Sequence, residues 1–333
     1  MRSLMPSTSV LSESRSRKIV LLGLSNVGKT SIGKFLKTFR ADIAADTTPS
    51  VKIEKISKRT LYGTLHFLIQ PGQKRLFFNP KQLGYILENA YVIMYIIDSA
   101  DRSRLSAMIK AFVWIIKQIR TLNLHPLPIL YLVAHKQDKK GAMHLEEVKK
   151  FFVKPFLTLL RGFKVRIFET SIYMPSSIIR LIKSLYTEDK SKQTIFDVLV
   201  RKLAIKTNST LTVLCDGEGL LLSYSYTQNK MFNQDDILNI AAFSTNFYLT
   251  YVRERRLNSN LKILPTLTDH PYVIFSSFNS SQDNTILITF IPMEDEYTLI
   301  LTMVLPQFLL GSLYTILPSH IDAIRKAYLR RYK

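Results

Sequence analysis

This sequence contains almost no cysteine, and we find in it no segment with the pattern of a secretory signal. The 333 residues contain one cysteine, Cys215. A lone cysteine excludes an intramolecular disulfide and a four-cysteine zinc site, and it is typical of a reducing compartment. Residues 1–17 are rich in Ser and Arg and lack an apolar stretch. They predict a flexible N-terminal arm without a secretory signal, and we therefore expect a cytoplasmic protein.

Acidic residues are also scarce relative to basic ones. The chain has 46 Lys and Arg against 25 Asp and Glu, which gives a formal net charge of +21. Such an excess favours an acidic partner surface, either anionic lipid or nucleic acid. Because no recognised nucleic-acid-binding motif is present, we expect no nucleic-acid partner. A peripheral position at an anionic membrane surface and a solvated lysine-rich surface are the two interpretations left open.

Long hydrophobic runs are limited to one stretch, Tyr297–Leu317. Its apolar residues extend over about twenty positions, the length that crosses a bilayer. Pro306 interrupts the run near its middle, and Gly311 lies a few residues farther along within it. We therefore predict a buried strand, Tyr297–Leu305, followed by a separate short helix, with a membrane span as the alternative.

The clearest pattern that is present covers Gly23–Ser31, between a short apolar strand, Ile19–Leu22, and a helical pattern. It matches the phosphate-loop sequence Gly-x-x-x-x-Gly-Lys-Thr in the context that this motif requires. The glycines let backbone N–H groups point inward at a phosphate, the lysine places a cation on the β- and γ-phosphates, and the threonine hydroxyl is a hard ligand for Mg²⁺. The predicted phosphate site comprises Gly23, Ser25, Asn26, Val27, Gly28, Lys29, Thr30 and Ser31. Thr30 is also predicted to be a metal ligand.

Two later loops contain the residue types that a nucleotide-dependent switch requires. Thr47 and Thr48 precede a half-buried strand, where such proteins keep a hydroxyl for Mg²⁺ and the γ-phosphate. Thr48 is the better candidate because a proline follows it, and Thr47 is the alternative. Farther along, Gly72 offers a flexible backbone N–H to the γ-phosphate, and Gln73 can orient an attacking water. We therefore predict Thr48 as a metal ligand, Gly72 as a phosphate contact, and Gln73 and Lys29 as catalytic residues.

Strand and helix patterns alternate through the first half of the chain. The continuous apolar runs Tyr91–Ala100 and Ile129–Ala134 are typical of parallel strands buried on both faces. The alternation predicts an α/β P-loop NTPase domain with a mostly parallel, doubly wound sheet, whose ligands bind beyond the C-terminal ends of the strands. The other predicted strands cover 19–22, 51–56, 60–69 and 164–169, and the predicted helices cover 30–39, 102–122, 145–160 and 176–186.

The pattern changes after a polar stretch, Thr187–Thr194. Asp216-Gly217 between two apolar runs is a strong hairpin signal, and we interpret Asp216 and Glu218 as turn formers rather than as an acid/base pair. Helix, hairpin, helix (234–257), three strands (272–278, 284–291 and 297–305) and one or two terminal helices predict an α+β domain on one antiparallel sheet. The predicted divisions are an arm (1–17), an α/β domain (18–187), a linker (188–194) and the α+β domain (195–333).

Four motifs, in this order, resemble those of the Ras-like small GTPases: the phosphate loop, Pro71-Gly72-Gln73, His135-Lys136-x-Asp138 and Thr170-Ser171. The histidine before Lys136, the segment Glu169–Tyr173 and the C-terminal pattern are similar to the Rag type. Small archaeal Ras-like and Rag-like proteins fit equally well. The resemblance implies a GTPase (G) domain followed by a roadblock- or longin-like domain, through which the chain would form a homo- or heterodimer.

The resemblance also implies roles for the residues that match. Asp138 would accept hydrogen bonds from guanine N1–H and N2–H, and Lys136 would pack over the guanine ring. Ser171 and Ile172 would contact the base at O6, and His135 would join the base loop to the phosphate loop. The implied cofactors are GTP or GDP and Mg²⁺, and the implied partner is an effector or activating protein.

One position departs from the resemblance, because Ile69 stands where the Asp-x-x-Gly motif of these proteins has its acid. That acid holds Mg²⁺, so we predict weak Mg²⁺ dependence and slow hydrolysis of GTP. The main hypothesis is a GTP/GDP-controlled switch with low intrinsic GTPase activity. The alternative is a non-hydrolysing scaffold subunit of a membrane-associated or heterodimeric complex. An ATP-dependent or other phosphate-dependent enzyme that uses the phosphate loop alone is a third possibility.

Overall fold

The N-terminal half of the chain, residues 16–186, is built around a six-stranded sheet. The structure is a computed structural model that describes residues 16–48, 50–60, 63–186, 194–226, 232–253, 272–276, 284–293, 297–306 and 310–332. The strands of the first sheet are β1 (Arg17–Leu22), β2 (Glu54–Thr60), β3 (Gly63–Ile69), β4 (Ala90–Asp98), β5 (Ile129–His135) and β6 (Val165–Thr170). Their order is β2-β3-β1-β4-β5-β6, and every pair is parallel except β2 with β3. The predicted mostly parallel sheet is confirmed.

Helices follow the strands of this sheet, in agreement with the alternating pattern. β4 and β5 are buried along almost their whole length, which explains why both are continuous apolar runs in the sequence. A 3₁₀ turn, Arg102–Arg104, precedes the longest helix of this half. The helices are α1 (Lys29–Thr38), α2 (Ala41–Ala45), α3 (Lys74–Phe77), α4 (Pro80–Leu87), α5 (Leu105–Thr121), α6 (Leu145–Val148) and α7 (Pro175–Lys183).

Three local predictions in this half are wrong. Arg17, assigned to the flexible arm, is the first residue of β1; the rest of the arm up to residue 15 lies outside the described residues. The strand predicted from Val51 begins at Glu54, and Val51 is exposed. The helix predicted over 145–160 is α6 followed by a π turn and a 3₁₀ turn. Pro155, which has no backbone N–H with which to continue an α-helix, lies in the 3₁₀ turn.

The C-terminal half, residues 194–332, contains a second sheet in which every pair of neighbouring strands is antiparallel. The predicted linker lies outside the described residues except for Thr194, whose side chain caps the first helix of this half. The strands are β7 (Leu211–Asp216), β8 (Leu221–Tyr226), β9 (Tyr272–Ser276), β10 (Asn284–Pro292) and β11 (Thr298–Pro306), in the order β8-β7-β11-β10-β9. The helices are α8 (Ile195–Lys206), α9 (Gln234–Phe247) and α10 (Leu310–Tyr332).

The long hydrophobic run of the sequence is divided between β11 and α10. β11 lies between β7 and β10, and its alternate residues belong to two different hydrophobic cores, Ile300 and Val304 to one and Leu301 and Met303 to the other. This burial on both sides explains why the strand is apolar on both faces. The predicted strand is confirmed, whereas the following helix is longer than predicted. Among the described residues, no helix is long and apolar enough to cross a membrane.

The two halves contact each other through the ends of α1, β2 and α7. Lys58 on β2 is buried, and its ammonium group lies 3.0 Å from the carboxylate of Glu218 in the β7–β8 turn. The same ammonium group lies over the ring of Phe39, 4.8 Å from its centre. Asn246 of α9 donates to the backbone carbonyl of Phe39 at 3.2 Å, and Arg180 of α7 forms an ion pair with Asp235 of α9. Apolar residues of both halves therefore form one continuous core.

Candidate functional site

The phosphate loop joins the end of β1 to the start of α1 and places a lysine among backbone carbonyls. The Lys29 ammonium group donates to the carbonyls of Gly23 at 2.8 Å and Leu24 at 2.7 Å. Burial and the nearby Arg104 lower the pKa of Lys29 to about 7, while the carboxylate of Glu54 acts in the opposite direction. A bound phosphate would supply the negative charge that this buried cation lacks, because a buried charge requires a partner.

A second contact ties the phosphate loop to the end of β5. Gly28 has φ +97°, and a Cβ atom at this position would lie 2.3 Å from Cδ2 of His135. Only glycine therefore fits between the loop and the imidazole. His135 is fully buried, and its Nδ1 forms a hydrogen bond with the Thr170 hydroxyl at 2.9 Å. The structure thus brings His135 against the phosphate loop, as the resemblance implied.

The packing of His135 can be tested through its protonation, because a buried imidazole resists binding a proton. Burial lowers the pKa of His135 to about 4; the charge of Lys136 lowers it further, and the charges of Asp138 and Asp98 raise it. As the pH falls below about 6.5, the unfolded chain binds a proton at this histidine and the folded chain does not, so the folded state loses stability. We expect the wild type to lose about 2 kcal/mol more unfolding free energy than His135→Asn between pH 7 and pH 5.

Urea denaturation of both proteins at the two pH values measures this difference. Asp216, whose pKa burial raises to about 6, changes stability with pH in the opposite direction, but it is common to both proteins and cancels. An equal pH dependence in the two proteins would contradict the buried, neutral state of His135.

The loop after β5, residues 136–138, which is the predicted base loop, is held by contacts to the phosphate loop and to β4. Lys136 donates to the backbone carbonyl of Asn26 at 2.7 Å and to the carboxylate of Asp98 at 2.6 Å. The Ser171 hydroxyl donates to the carboxylate of Asp138, which is itself exposed to solvent. The structure therefore brings together the predicted Lys136, Asp138 and Ser171, and Ile172 lies buried in the adjoining turn. Asp98 was not predicted, although its position at the C-terminal end of a buried strand could have indicated it.

A narrow cleft lies between the phosphate loop and the segments after β3 and before β2. Its cavity measures about 50 Å³, which is room for only a few water molecules. Gly72 borders this cleft, and a Cβ atom there would lie 2.4 Å from the backbone nitrogen of Ser25. Of the predicted phosphate residues, Gly23 and Val27 do not line the cleft. The predicted residues that do line it are Ser25, Asn26, Gly28, Lys29, Thr30, Ser31, Thr48, Gly72 and Gln73.

The Thr30 hydroxyl group forms a hydrogen bond with Ser50, which was not among the predicted site residues. Ser50 Oγ lies 2.9 Å from Thr30 Oγ1, whereas the described contacts of Thr48 and Thr47 are limited to the lining of the cleft. Thr48 precedes Pro49 and Ser50 follows it. The proline therefore indicated the right loop, but it did not identify which hydroxyl group contacts Thr30. We therefore place Ser50 beside Thr48 as a candidate metal ligand.

Ile69 is a core residue in this structure. Its side chain is fully buried and packs on α1, where a Cβ atom at Gly33 would lie 2.4 Å from Ile69 Cδ1 and 3.0 Å from Ile56 Cδ1. This contact explains how an apolar residue is accommodated where the resemblance implied an acid. A carboxylate introduced at Ile69 would be buried against α1, so this substitution tests stability rather than metal binding.

The oxygen atoms around Thr30 fit a magnesium ion. Ser50 Oγ donates to the carboxylate of Glu54, and among the described residues the side-chain carbonyl oxygen of Gln70, fully buried beside the same cleft, has no hydrogen-bond partner. Hydroxyl, carboxylate and amide oxygens are the ligands that Mg²⁺ prefers, directly or through its bound waters. Neither Glu54 nor Gln70 was predicted, because nothing in the local sequence connects either residue with the region of Thr30.

An arginine also contacts the phosphate loop. Arg104, at the end of the 3₁₀ turn before α5, donates from Nη1 to the backbone carbonyl of Ser25 at 3.0 Å. The sequence analysis assigned no arginine to the site. Since Arg104 also helps to lower the pKa of Lys29, the loop carries two nearby cations in a region suited to an anion.

A family profile matches the N-terminal half of the chain, and individual relatives match part of it. Residues 4–188 match the sequence profile of the ADP-ribosylation factor family. ADP-ribosylation factor-like protein 1 of Drosophila melanogaster is 28% identical over 137 residues, which cover 40% of this chain and 69% of that protein. ADP-ribosylation factor-related protein 1 of Mus musculus is 30% identical over 143 residues, which cover 40% of this chain and 66% of that protein.

Two solved structures are similar to part of the chain. The Arl6 BBS3 small GTPase from Trypanosoma brucei with bound nucleotide analogue GppNp superposes with a TM-score of 0.44 and 20% identity, covering 51% of this chain and 95% of that one. The mammalian SRP receptor superposes with a TM-score of 0.45 and 20% identity, covering 51% of this chain and 98% of that one.

Proposed function

Because this chain belongs to the ADP-ribosylation factor family, we propose that it binds GTP and GDP and acts as a nucleotide-controlled switch. The observation that carries the proposal is the direct connection between the base loop and the phosphate loop. His135 packs on Gly28, and Lys136 donates to the carbonyl of Asn26. A nucleotide spanning the two loops would contact a cation at its phosphates and a carboxylate at its base.

Guanine selectivity would come from Asp138 and Ser171. The carboxylate of Asp138 is exposed and oriented by the Ser171 hydroxyl. A carboxylate accepts hydrogen bonds from N1–H and N2–H of guanine. Adenine presents an acceptor at N1 and has no N2 amino group, so it leaves the carboxylate unpaired and is rejected.

Phosphate binding requires the cleft to open. Because the cavity measures about 50 Å³, the segment that carries Thr48 and Ser50 would shift as the phosphates enter, and its hydroxyl groups would remain within reach of a cation at Thr30. A bound Mg²⁺ would neutralise phosphate charge at this position. The residues that would hold it are Thr30, with Thr48 or Ser50. Movement of this segment on nucleotide binding would change the surface that an effector or activating protein contacts.

GTP hydrolysis should be slow and should depend on Gln73. Its side chain lines the cleft at the start of α3, where it can orient a water for attack on the γ-phosphate. Without a partner we expect single turnover on the order of 10⁻³ per second or less, and at least ~10-fold less for Gln73→Leu. Quenched single-turnover assays measure both rates, with Gln82→Leu on the neighbouring helix as the matched control. Equal rates for the wild type and Gln73→Leu would contradict the assignment.

The finer predictions remain part of this proposal. A Rag-type dimer formed through a roadblock- or longin-like C-terminal half (195–333) is consistent with the five-stranded antiparallel sheet and its helices, whereas the family match concerns residues 4–188. A scaffold that never turns GTP over is the alternative, and the single-turnover assay separates it from a switch. The net charge of +21 supports peripheral binding to an anionic membrane as a further proposal.

A further inference from the structure

The missing carboxylate of β3 has a counterpart on the neighbouring strand. Glu54, the first residue of β2, is paired with Ile69 in the antiparallel register of β2 and β3. Residues directly opposite each other in such a pair project from the same face of the sheet. The Glu54 carboxylate therefore lies on the face that packs against α1, beside the position where Ile69 offers no acid.

Glu54 is connected to the phosphate loop by hydrogen bonds. Its Oε1 atom accepts from Ser50 Oγ, and Ser50 Oγ lies 2.9 Å from Thr30 Oγ1. Thr30 directly follows Lys29 in the phosphate loop. The carboxylate is thus linked through Ser50 to the threonine hydroxyl group of the phosphate loop.

An independent observation points to a ligand at the same place. Among the described residues, Gln70 Oε1 has no hydrogen-bond partner although the side chain is fully buried. The amide nitrogen of Gln70 is used, because it donates to the carbonyl of Phe77 at 3.3 Å. Leaving a buried oxygen without a partner is unfavourable, and a cation or one of its bound waters in the adjoining cleft would satisfy it.

We propose that Glu54 replaces the missing acid of β3 and, with Thr30, Ser50 and Gln70, holds the divalent cation that accompanies the nucleotide phosphates. This inference rests on the proposed function. It changes the prediction made from Ile69 alone, since the site keeps a carboxylate and nucleotide binding should depend on Mg²⁺ after all. In this chain the carboxylate would come from Glu54 on β2, which faces the position of Ile69 on β3.

The test is the release of a fluorescent GDP analogue from the loaded full-length protein, measured over a series of Mg²⁺ concentrations and in excess EDTA. In the wild type, Mg²⁺ should slow release strongly. In Glu54→Gln the Mg²⁺ concentration that gives half of this slowing should rise about 10- to 100-fold, the usual effect of losing a group that supports a metal ligand. Glu54→Asp, which keeps the charge on a shorter side chain, should fall in between.

Glu88→Gln is the matched control, because Glu88 is exposed and lies at the end of α4; it should behave as the wild type. Urea denaturation shows whether each variant is folded. An unchanged Mg²⁺ dependence in folded Glu54→Gln overturns the inference and leaves the proposed function intact, as does a wild type whose GDP release ignores EDTA. A wild type that binds no guanine nucleotide overturns the proposed function itself.

Discussion

Lys29→Ala should lower the affinity for GTP and GDP by at least ~100-fold, about 2.7 kcal/mol, while the protein stays folded. The Lys29 ammonium group is buried between the carbonyls of Gly23 and Leu24 and borders the cleft. Charge-assisted hydrogen bonds are strong where water is excluded, so the loss of this cation removes a large part of the phosphate binding. Fluorescence titration with labelled GDP measures the change.

Lys37→Ala is the control for this substitution, because Lys37 is an exposed lysine in the last turn of the same helix. It should bind GDP as the wild type does. A Lys29→Ala variant that binds GDP within about threefold of the wild type would show that the phosphates lie elsewhere.

Gly219→Ala should lower the unfolding free energy by about 3 kcal/mol or more. Gly219, in the turn between β7 and β8, has φ +84°, and a Cβ atom there would lie 2.1 Å from Cζ of Phe39 at the end of α1. The substitution combines a strained backbone with overlap at the contact between the two halves. The lost stability follows from both causes, and urea denaturation measures it.

Gly141→Ala separates these causes. Gly141 has a similar φ of +76°, but a Cβ atom there would meet nothing within 4 Å, so only backbone strain of about 1–2 kcal/mol remains. The difference between the two variants reports the packing of Phe39 against the C-terminal half. If both variants lose the same stability, the two halves do not pack as the structure places them.

The sequence was sufficient for the parts of the site that one continuous segment determines. The phosphate loop follows from residues 23–31, because two glycines, a lysine and a threonine at fixed spacing between a strand and a helix restrict the backbone strongly. The position of Lys136 and Asp138 at the end of the sheet could be predicted for the same reason, since both directly follow a buried strand. Both β4 and β5 were predicted from their apolar runs alone.

The residues that were missed depend on contacts between distant segments. The position of Glu54 depends on the strand register that pairs it with Ile69. A shift of one residue would place its side chain on the opposite face of the sheet. Asp98 is part of the site because its carboxylate accepts a hydrogen bond from Lys136, which follows the neighbouring strand β5. Likewise, Lys58 and Arg59 are adjacent basic residues, and only the fold shows that Lys58 is buried against Glu218.

The central claim is guanine-nucleotide binding, and competition of GTP, GDP and ATP for a labelled guanine nucleotide on the wild-type protein tests it most directly. GTP and GDP should displace the label at similar concentrations, and ATP should need at least ~100-fold more, because adenine leaves the Asp138 carboxylate unpaired. Asp138→Ala should lose this preference. Binding of ATP as tight as that of GTP, or no binding of any guanine nucleotide, would contradict the account.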